Sequence, residues 1–203
     1  MNEYFQSCIK GLDDDCCTIG ITGGIGSGKS VVSRILRCNG YKVYDCDSEA
    51  KRIMVDDPGV KKHLREIAGE YVYNASGFIN RKYLADLIFA NRELLNKVNG
   101  VVHAAVRKDF ERFRAENKGI VFIESAILVT GKLTGYCEKI WLIEAPLTIR
   151  IERIMTRDHL SREEIMKRIE TQSQEFESLP ADRTIILHND GEKPLLDKVF
   201  ELT

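Results

Sequence analysis

The residues best suited to chemistry form a glycine-rich run from Gly23 to Ser30, with the sequence GGIGSGKS. This run matches the pattern G-x-x-x-x-G-K-[ST] at every position. Glycine permits the positive φ angles of a tight concave loop and lets main-chain amides approach phosphate oxygens closely. A helix that starts there adds its unpaired N–H groups and the positive end of its dipole. The run therefore predicts a site for the phosphates of a nucleotide.

Side chains at the end of the run extend this prediction to ATP and Mg²⁺. The Lys29 ammonium can place a charge on the β- and γ-phosphates, and the Ser30 hydroxyl is a hard-oxygen ligand that suits Mg²⁺. The rest of the loop is expected to hold ATP through its backbone at Gly24, Ile25, Gly26, Ser27 and Gly28.

The flanks of the run argue against a chance match in an ordinary glycine turn. A β-prone segment, Thr18–Thr22, precedes it, and helical spacing over Lys29–Leu36 follows it. A second strand is predicted at Tyr41–Tyr44, so that the three elements form a βαβ unit with parallel strands.

Acidic residues follow two predicted strands, at the edge where ligands bind in such sheets. Asp45 and Asp47 end the second strand, and strand alternation would place both on one side. Such a carboxylate can orient a hydroxyl or accept its proton, and we favour Asp47 as the base. The alternative is that Asp47 only caps a helix that starts at Ser48. Glu124 follows a continuous apolar strand, where an acid near the metal is expected.

Three arginines, Arg150, Arg153 and Arg157, share one face of a predicted helix after Pro146. They could stabilise charge on a transferring phosphoryl group, which would make this segment a lid. The alternative is a solvated helix face with Glu152 and Asp158 as local ion-pair partners.

The remaining pattern predicts an α/β fold: a parallel sheet with helical insertions. Residues 58–115 are expected to be mostly helical, with Asp57 as a cap and with breaks near 74–77 and 99–100. Further strands are predicted at 120–123, 140–143 and 184–187, a capping box at 161–164, and a last helix at the C-terminus.

Composition restricts the classes of partner. The chain has 203 residues with 30 basic and 31 acidic side chains, a balance that disfavours a nucleic-acid partner. No apolar run has the length of a transmembrane helix, so a cytoplasmic protein without a membrane partner is expected. The 6 cysteines have no metal-binding spacing and are expected to be reduced, packed thiols.

Several segments of the chain resemble one known family. The segment Ile19–Ser30 resembles the phosphate-binding loop of dephospho-CoA kinases, and the resemblance extends over nearly all of the chain after residue 18. It also includes the strand that ends at Asp47, a helical segment from Ile79 to His103, the acid Glu124, and later segments at 153–158, 168–172, 181–182 and 189.

The resemblance implies a three-layer α/β/α fold of the P-loop NTPase type, with a helical acceptor-binding insertion and a small helical lid. It implies ATP-dependent phosphorylation of the 3′-hydroxyl of dephospho-CoA, which gives CoA and ADP. Lys29, Asp47, Arg153 and Arg157 would be catalytic, and Arg157 and Asn189 would also bind ATP. By the same resemblance, the acceptor would lie against Asp47, Arg81, His103 and Glu124.

The same reasoning gives the expected domains. Residues 1–15 would be a flexible leader, 58–115 the acceptor domain and 149–180 the lid, and the remaining segments 16–57, 116–148 and 181–203 the nucleotide-binding core. A monomer or weak homo-oligomer is expected.

The chain departs from the family pattern at three places. Ala104 follows His103, where the family commonly has proline. Ser125-Ala-Ile-Leu stands where a Pro-Leu-Leu segment is usual, and Glu175-Phe-Glu-Ser stands in a stretch that lacks an expected lysine. Two other functions share the phosphate-binding loop. Another small-molecule kinase would differ only in its acceptor pocket, and a nucleotide-dependent switch would usually carry an Asn-Lys-x-Asp motif, which is not found.

Overall fold

The computed structural model describes residues 16–203, and the predicted leader at residues 1–15 lies outside them. The chain divides into two compact units. One contains residues 16–44 and 114–203, and the other is Asp45–Phe113. The functions predicted for the acceptor domain and the lid stay predictions.

A five-stranded parallel sheet forms the centre of the first unit, in the order β2-β3-β1-β4-β5. Its strands are β1 (Cys17–Thr22), β2 (Lys42–Asp45), β3 (Ile120–Glu124), β4 (Lys139–Glu144) and β5 (Thr184–His188). The continuous apolar composition of β3 and β4 fits their place inside the sheet, covered on both faces. The expected parallel α/β fold is thus confirmed.

Helices pack on one face of this sheet. They are α1 (Lys29–Cys38) and, at the C-terminus, α8 (Leu195–Leu202). Val32 and Leu36 of α1 and Val199 of α8 join Ile19 and Trp141 of the sheet in one buried cluster. Two further helices, α6 (Leu147–Asp158) and α7 (Arg162–Glu177), form a hairpin with its own apolar contacts.

The second unit, Asp45–Phe113, is helical. Its helices are α2 (Cys46–Asp56), α3 (Pro58–Ala68), α4 (Arg81–Ala90) and most of α5 (Arg92–Glu116). Asp57 caps α3 as predicted, because its Oδ1 accepts from the N–H groups of Gly59 and Val60. The predicted break near 74–77 is confirmed, but the one at 99–100 is wrong, since α5 continues through it.

Strand alternation was the wrong basis for placing Asp45 and Asp47. The strand ends at Asp45, and α2 begins at the next residue, Cys46. Asp45, rather than Asp47, is the cap, because its Oδ1 accepts from the N–H groups of Asp47 and Ser48. Asp47 lies in the first helical turn with its side chain exposed.

Two expectations from composition concern membrane-spanning helices and the cysteines. None of the helices within residues 16–203 combines the length and the apolar composition of a membrane-spanning segment. The five cysteines in that range are free thiols, as expected, and four of them are buried. The sixth, Cys8, lies outside the described residues.

Candidate active site

The glycine-rich run forms a loop between β1 and α1, as its sequence requires. Gly28 has a left-handed φ of 108° immediately before the helix, a conformation that favours glycine. A β-carbon there would also collide with the side-chain amide of Asn189. Two separate constraints, backbone angle and space, therefore select glycine at this position.

The loop presents backbone N–H groups at the start of α1. Among the described residues, the N–H groups of Gly26, Gly28 and Ser30 have no hydrogen-bond acceptor. Lys29 Nζ donates to the carbonyl oxygens of Gly23 at 2.6 Å and Gly24 at 3.3 Å, which holds the ammonium against the same loop. Free amides, a helix N-terminus and a cation together make a site for an anion.

Two arginines of α6 reach the loop from one side. Arg150 Nε donates to the carbonyl oxygen of Ile25 at 2.9 Å, and Arg153 Nη1 donates to that of Gly26 at 3.3 Å. Burial lowers the pKa of Arg150, while the charge of Glu144 acts in the opposite direction. A guanidinium stays protonated in proteins, so both side chains bring positive charge to the loop.

Asn189 ties the loop after β5 to the phosphate-binding loop. Its Nδ2 donates to the carbonyl oxygen of Ser27 at 2.7 Å, and its Oδ1 accepts from Arg153 at 3.4 Å. The family resemblance predicts Asn189 near the nucleotide, and the structure brings it to the loop that is predicted to hold the phosphates.

A cavity of about 520 Å³ opens beside the loop, at the carboxyl ends of β4 and β5. Its wall includes Gly24, Ser27, Glu144, Arg150, His188 and Asp190. The Ser27 hydroxyl is buried and has no hydrogen-bond partner within residues 16–203. A cavity of this size with an unpaired hydroxyl and a nearby guanidinium suits a small anionic ligand.

Glu124 lies at the end of β3, beside the strand that leads into the loop. It pairs in register with Ile21 of β1, and the next residue, Ser125, donates its N–H to the Ile21 carbonyl at 3.0 Å. The predicted strand-end position of this acid is therefore correct, and its role toward a ligand stays a prediction.

The other predicted site residues belong to α6 and to the helical unit. Arg157, in the last turn of α6, pairs with Asp158, and their hydrogen bond raises the pKa of Arg157 and lowers that of Asp158. In the helical unit, Arg81 is exposed at the first residue of α4, and His103 is half-buried on α5. Asp47 belongs to the same unit.

Sequence reasoning missed two residues that contact the loop. Gln172 of α7 accepts the N–H of Ile25 at 2.9 Å through its Oε1. Arg150 was included in the arginine face but not among the predicted site residues, although it reaches the loop and Arg157 does not. The spacing of Arg150 and Arg153 on one helix face was a signal that could have identified Arg150. No local pattern distinguishes Gln172 from a surface glutamine.

The fold and the loop define a class, the P-loop kinases of the α/β type. The structure is similar to a crystal structure of a Thermus thermophilus protein, with a TM-score of 0.77 and 31% identity over 92% of this chain and 95% of that one. It also shares its fold with a dephospho-CoA kinase from Campylobacter jejuni, with a TM-score of 0.62 and 22% identity over 92% of this chain and 94% of that one.

Sequence comparison then identifies the family within that class. The profile of the dephospho-CoA kinase family matches residues 17–194. A dephospho-CoA kinase from Bacteroides fragilis strain YCH46 is 40% identical over 186 residues, which cover 91% of this chain and 90% of that protein. The chain belongs to the dephospho-CoA kinase family, and it is a kinase, a phosphotransferase with an alcohol group as acceptor.

Proposed function

We propose that this chain transfers the γ-phosphoryl group of ATP to the 3′-hydroxyl of dephospho-CoA, giving CoA and ADP. The observation that carries the proposal is the loop Gly23–Ser30, with its free amides and three nearby cations, in a chain of this family. Lys29, Arg150 and Arg153 supply the cations.

Phosphoryl transfer of this kind depends on positioning and on stabilising charge, with little covalent chemistry from the protein. In the proposed reaction, the loop amides and Lys29 hold the β- and γ-phosphates. Arg150 and Arg153 lie close enough to the loop to offset negative charge on the transferring group. The cavity bounded by Glu144, His188 and Asp190 would take another part of the nucleotide.

Asp47 is proposed as the group that accepts the proton of the acceptor hydroxyl. Its support is the motif and the exposed carboxylate in the first turn of α2. Arg81, His103 and Glu124 are proposed to contact the acceptor, and Arg157 to contact ATP, on the resemblance alone.

Mg²⁺ is proposed as the companion of ATP. The Ser30 hydroxyl, exposed at the start of α1, suits it, since Mg²⁺ prefers hard oxygen and is usually held by few protein ligands together with phosphates. When bound, the ion would neutralise part of the phosphate charge. A cytoplasmic location and a monomeric or weakly associating state stay proposals.

The test is an incubation of the purified protein with ATP, Mg²⁺ and dephospho-CoA, followed by mass spectrometry. We expect CoA and ADP in equal amounts, and neither product from the Lys29→Ala variant. A panel of nucleosides and other small alcohols, each assayed with ATP, provides the comparison. Faster transfer to a panel compound would identify another small-molecule kinase, and ATP hydrolysis that ignores every acceptor would indicate a switch.

A further inference from the structure

Helix α7 makes two polar contacts from one of its faces to two different loops. Gln172 accepts the N–H of Ile25 in the phosphate-binding loop, and Glu175 accepts N–H groups from the segment 125–133, the β3–β4 loop. Residues three apart on a helix lie on the same face, about one turn from each other. One rigid element is therefore attached to both loops.

The contact at Ile25 is made in three ways. Its N–H donates to Gln172, its carbonyl accepts from Arg150, and its side chain packs against the cluster of Ile151, Ile154 and Ile165 in the helical hairpin. A movement of the loop backbone at Ile25 therefore changes its contacts with both α6 and α7.

The contact at Glu175 uses both oxygens of a carboxylate that is only 7% exposed. Oε1 accepts from the N–H of Val129, and Oε2 accepts from the N–H of Thr130 at 3.1 Å and from its hydroxyl at 2.6 Å. A buried carboxylate is costly unless its oxygens are hydrogen-bonded. The same contacts satisfy the carboxylate and fix the β3–β4 loop.

The β3–β4 loop transmits this attachment to the end of β3. It begins directly after Glu124, and it is closed internally by hydrogen bonds from Gly131 N to Ile127 O and from Leu133 N to Leu128 O, both 2.8 Å. Leu128, next to Val129 in the chain, is fully buried and lies against Gly20 of β1. Movement of this loop therefore disturbs both the core and the residues after Glu124.

We propose that α7 is a strut that couples the phosphate-binding loop to the β3–β4 loop, with Gln172 and Glu175 as positioning residues at its two contacts. This inference rests on the proposed function, because it takes a nucleotide as the ligand of the phosphate-binding loop. A nucleotide that stabilises the backbone at Ile25 also stabilises the Gln172 contact, and through α7 the Glu175 contact. Since coupling is reciprocal, loss of the Glu175 contact weakens nucleotide binding.

Amide hydrogen exchange, measured by NMR with and without the non-hydrolysable ATP analogue AMP-PNP plus Mg²⁺, tests this coupling. In the unaltered protein we expect AMP-PNP to slow exchange at Gly26, Gly28 and Ser30, and also at Val129 and Thr130 by about tenfold. The first group reports nucleotide binding, and the second reports the transmitted effect.

Variants separate the two contacts. In Gln172→Leu, a saturating concentration of AMP-PNP should still protect the phosphate-binding loop but no longer slow exchange at Thr130. In Glu175→Gln, one of the two accepting oxygens becomes a nitrogen that cannot accept, so at least one of the Val129 and Thr130 N–H groups should exchange at least tenfold faster with or without AMP-PNP. Gln174→Leu and Glu177→Gln are matched controls on exposed positions of the same helix and should behave like the unaltered protein.

The outcomes distinguish this proposal from the proposed function. No protection at Gly26, Gly28 and Ser30 would reject nucleotide binding itself. Protection at those three residues without slower exchange at Thr130 in the unaltered protein would overturn the proposed coupling. So would a Gln172→Leu variant in which AMP-PNP still slows exchange at Thr130. If Glu175→Gln does not fold, Thr130→Val, which removes only the hydroxyl donor, should still raise exchange at Val129, and an unchanged rate would overturn the Glu175 contact's role.

Discussion

Gly24 and Arg150 lie so close together that a β-carbon on Gly24 would collide with the Arg150 guanidinium. The arginine occupies the space that a side chain on the loop would fill, and its Nε holds the next residue through the Ile25 carbonyl. Gly24 is therefore needed less for its backbone angles than for the room that it leaves to a cation.

The first prediction concerns this pair. Gly24→Ala should displace Arg150 without removing its charge, and it should lower kcat/KM for ATP by roughly a hundredfold, as loss of a charge-stabilising donor does. Arg150→Ala should have a similar effect, and the double variant should be no worse than either one, because both remove the same contact. Steady-state kinetics measure all three.

Gly135→Ala is the matched control, because a β-carbon there meets nothing within 4 Å. It should keep the kinetics of the unaltered protein. Additive losses in the Gly24→Ala, Arg150→Ala double variant would show that the two residues act separately.

The second prediction concerns Lys29. Lys29→Ala should lower the rate of phosphoryl transfer by at least about a hundredfold. The variant lacks the ammonium group that is held against the loop and that would stabilise negative charge on the phosphates. The fold should survive, since the side chain is only half-buried and a change of this kind costs about 1 kcal/mol. Urea unfolding and product formation are measured on the same sample, with exposed Lys42→Ala as control. A variant that unfolds at the midpoint of the unaltered protein yet retains its rate contradicts the role of Lys29.

The third prediction separates the two acids after β2. Asp47→Asn should lower kcat far more than it changes ATP affinity, because the neutral amide cannot accept the hydroxyl proton. Asp45→Asn is a close control, since asparagine caps helices about as well as aspartate and the N–H groups of Asp47 and Ser48 keep an acceptor. Turnover of Asp47→Asn at the unaltered rate would show that another group is the base.

These two acids also show what sequence reasoning could reach. Local patterns act over a few residues, and they gave the loop, the capping box at Ser161 and the cap at Asp57. The same local reasoning extended β2 by two residues and missed that Asp45 caps the following helix, because the end of a strand depends on its neighbours in the sheet as well as on its own composition.

Contacts between residues far apart in the chain could not be predicted from local sequence patterns. Gln172 and Ile25 are 147 residues apart, and Glu175 and Val129 are 46 apart. Glu175 stood out only as a departure from the family pattern, in a stretch without an expected lysine. Its buried contacts with a loop that departs from the same pattern become visible only when the helix is placed in space.

The fourth prediction concerns thiol reactivity. Burial raises the pKa of Cys137 to about 12, and burial also raises that of Cys16. Because the thiolate is the reactive species, both should resist iodoacetamide at mildly alkaline pH, whereas exposed Cys38 should react. Peptide mapping after brief labelling measures the ratio, and labelling in denaturant, where all thiols are accessible, is the control. Labelling of Cys137 as fast as Cys38 in the folded protein would contradict its burial.

The fifth prediction concerns the start of α7, where Ser161 and Glu164 form a capping box. Ser161→Ala should lower the free energy of unfolding by about 1 kcal/mol, because the Glu164 N–H loses its acceptor. Urea unfolding at neutral pH measures this loss, and Ser178→Ala, at the other end of the helix, should cost less.

The Glu164 carboxylate adds a pH dependence whose sign follows from its pKa. Hydrogen bonds from the backbone and side chain of Ser161 lower that pKa from its ordinary value of 4.5. A lowered pKa in the folded state contributes stability that is present above 4.5 and is lost as pH falls through the lowered value. Glu164→Gln keeps a neutral capping box. The unaltered protein should therefore have the higher free energy of unfolding at neutral pH, and its advantage over Glu164→Gln should shrink toward zero in acid. Glu177→Gln, which carries the same change at the other end of α7, should not show this trend, and a difference that grows in acid would contradict the role of the Glu164 charge.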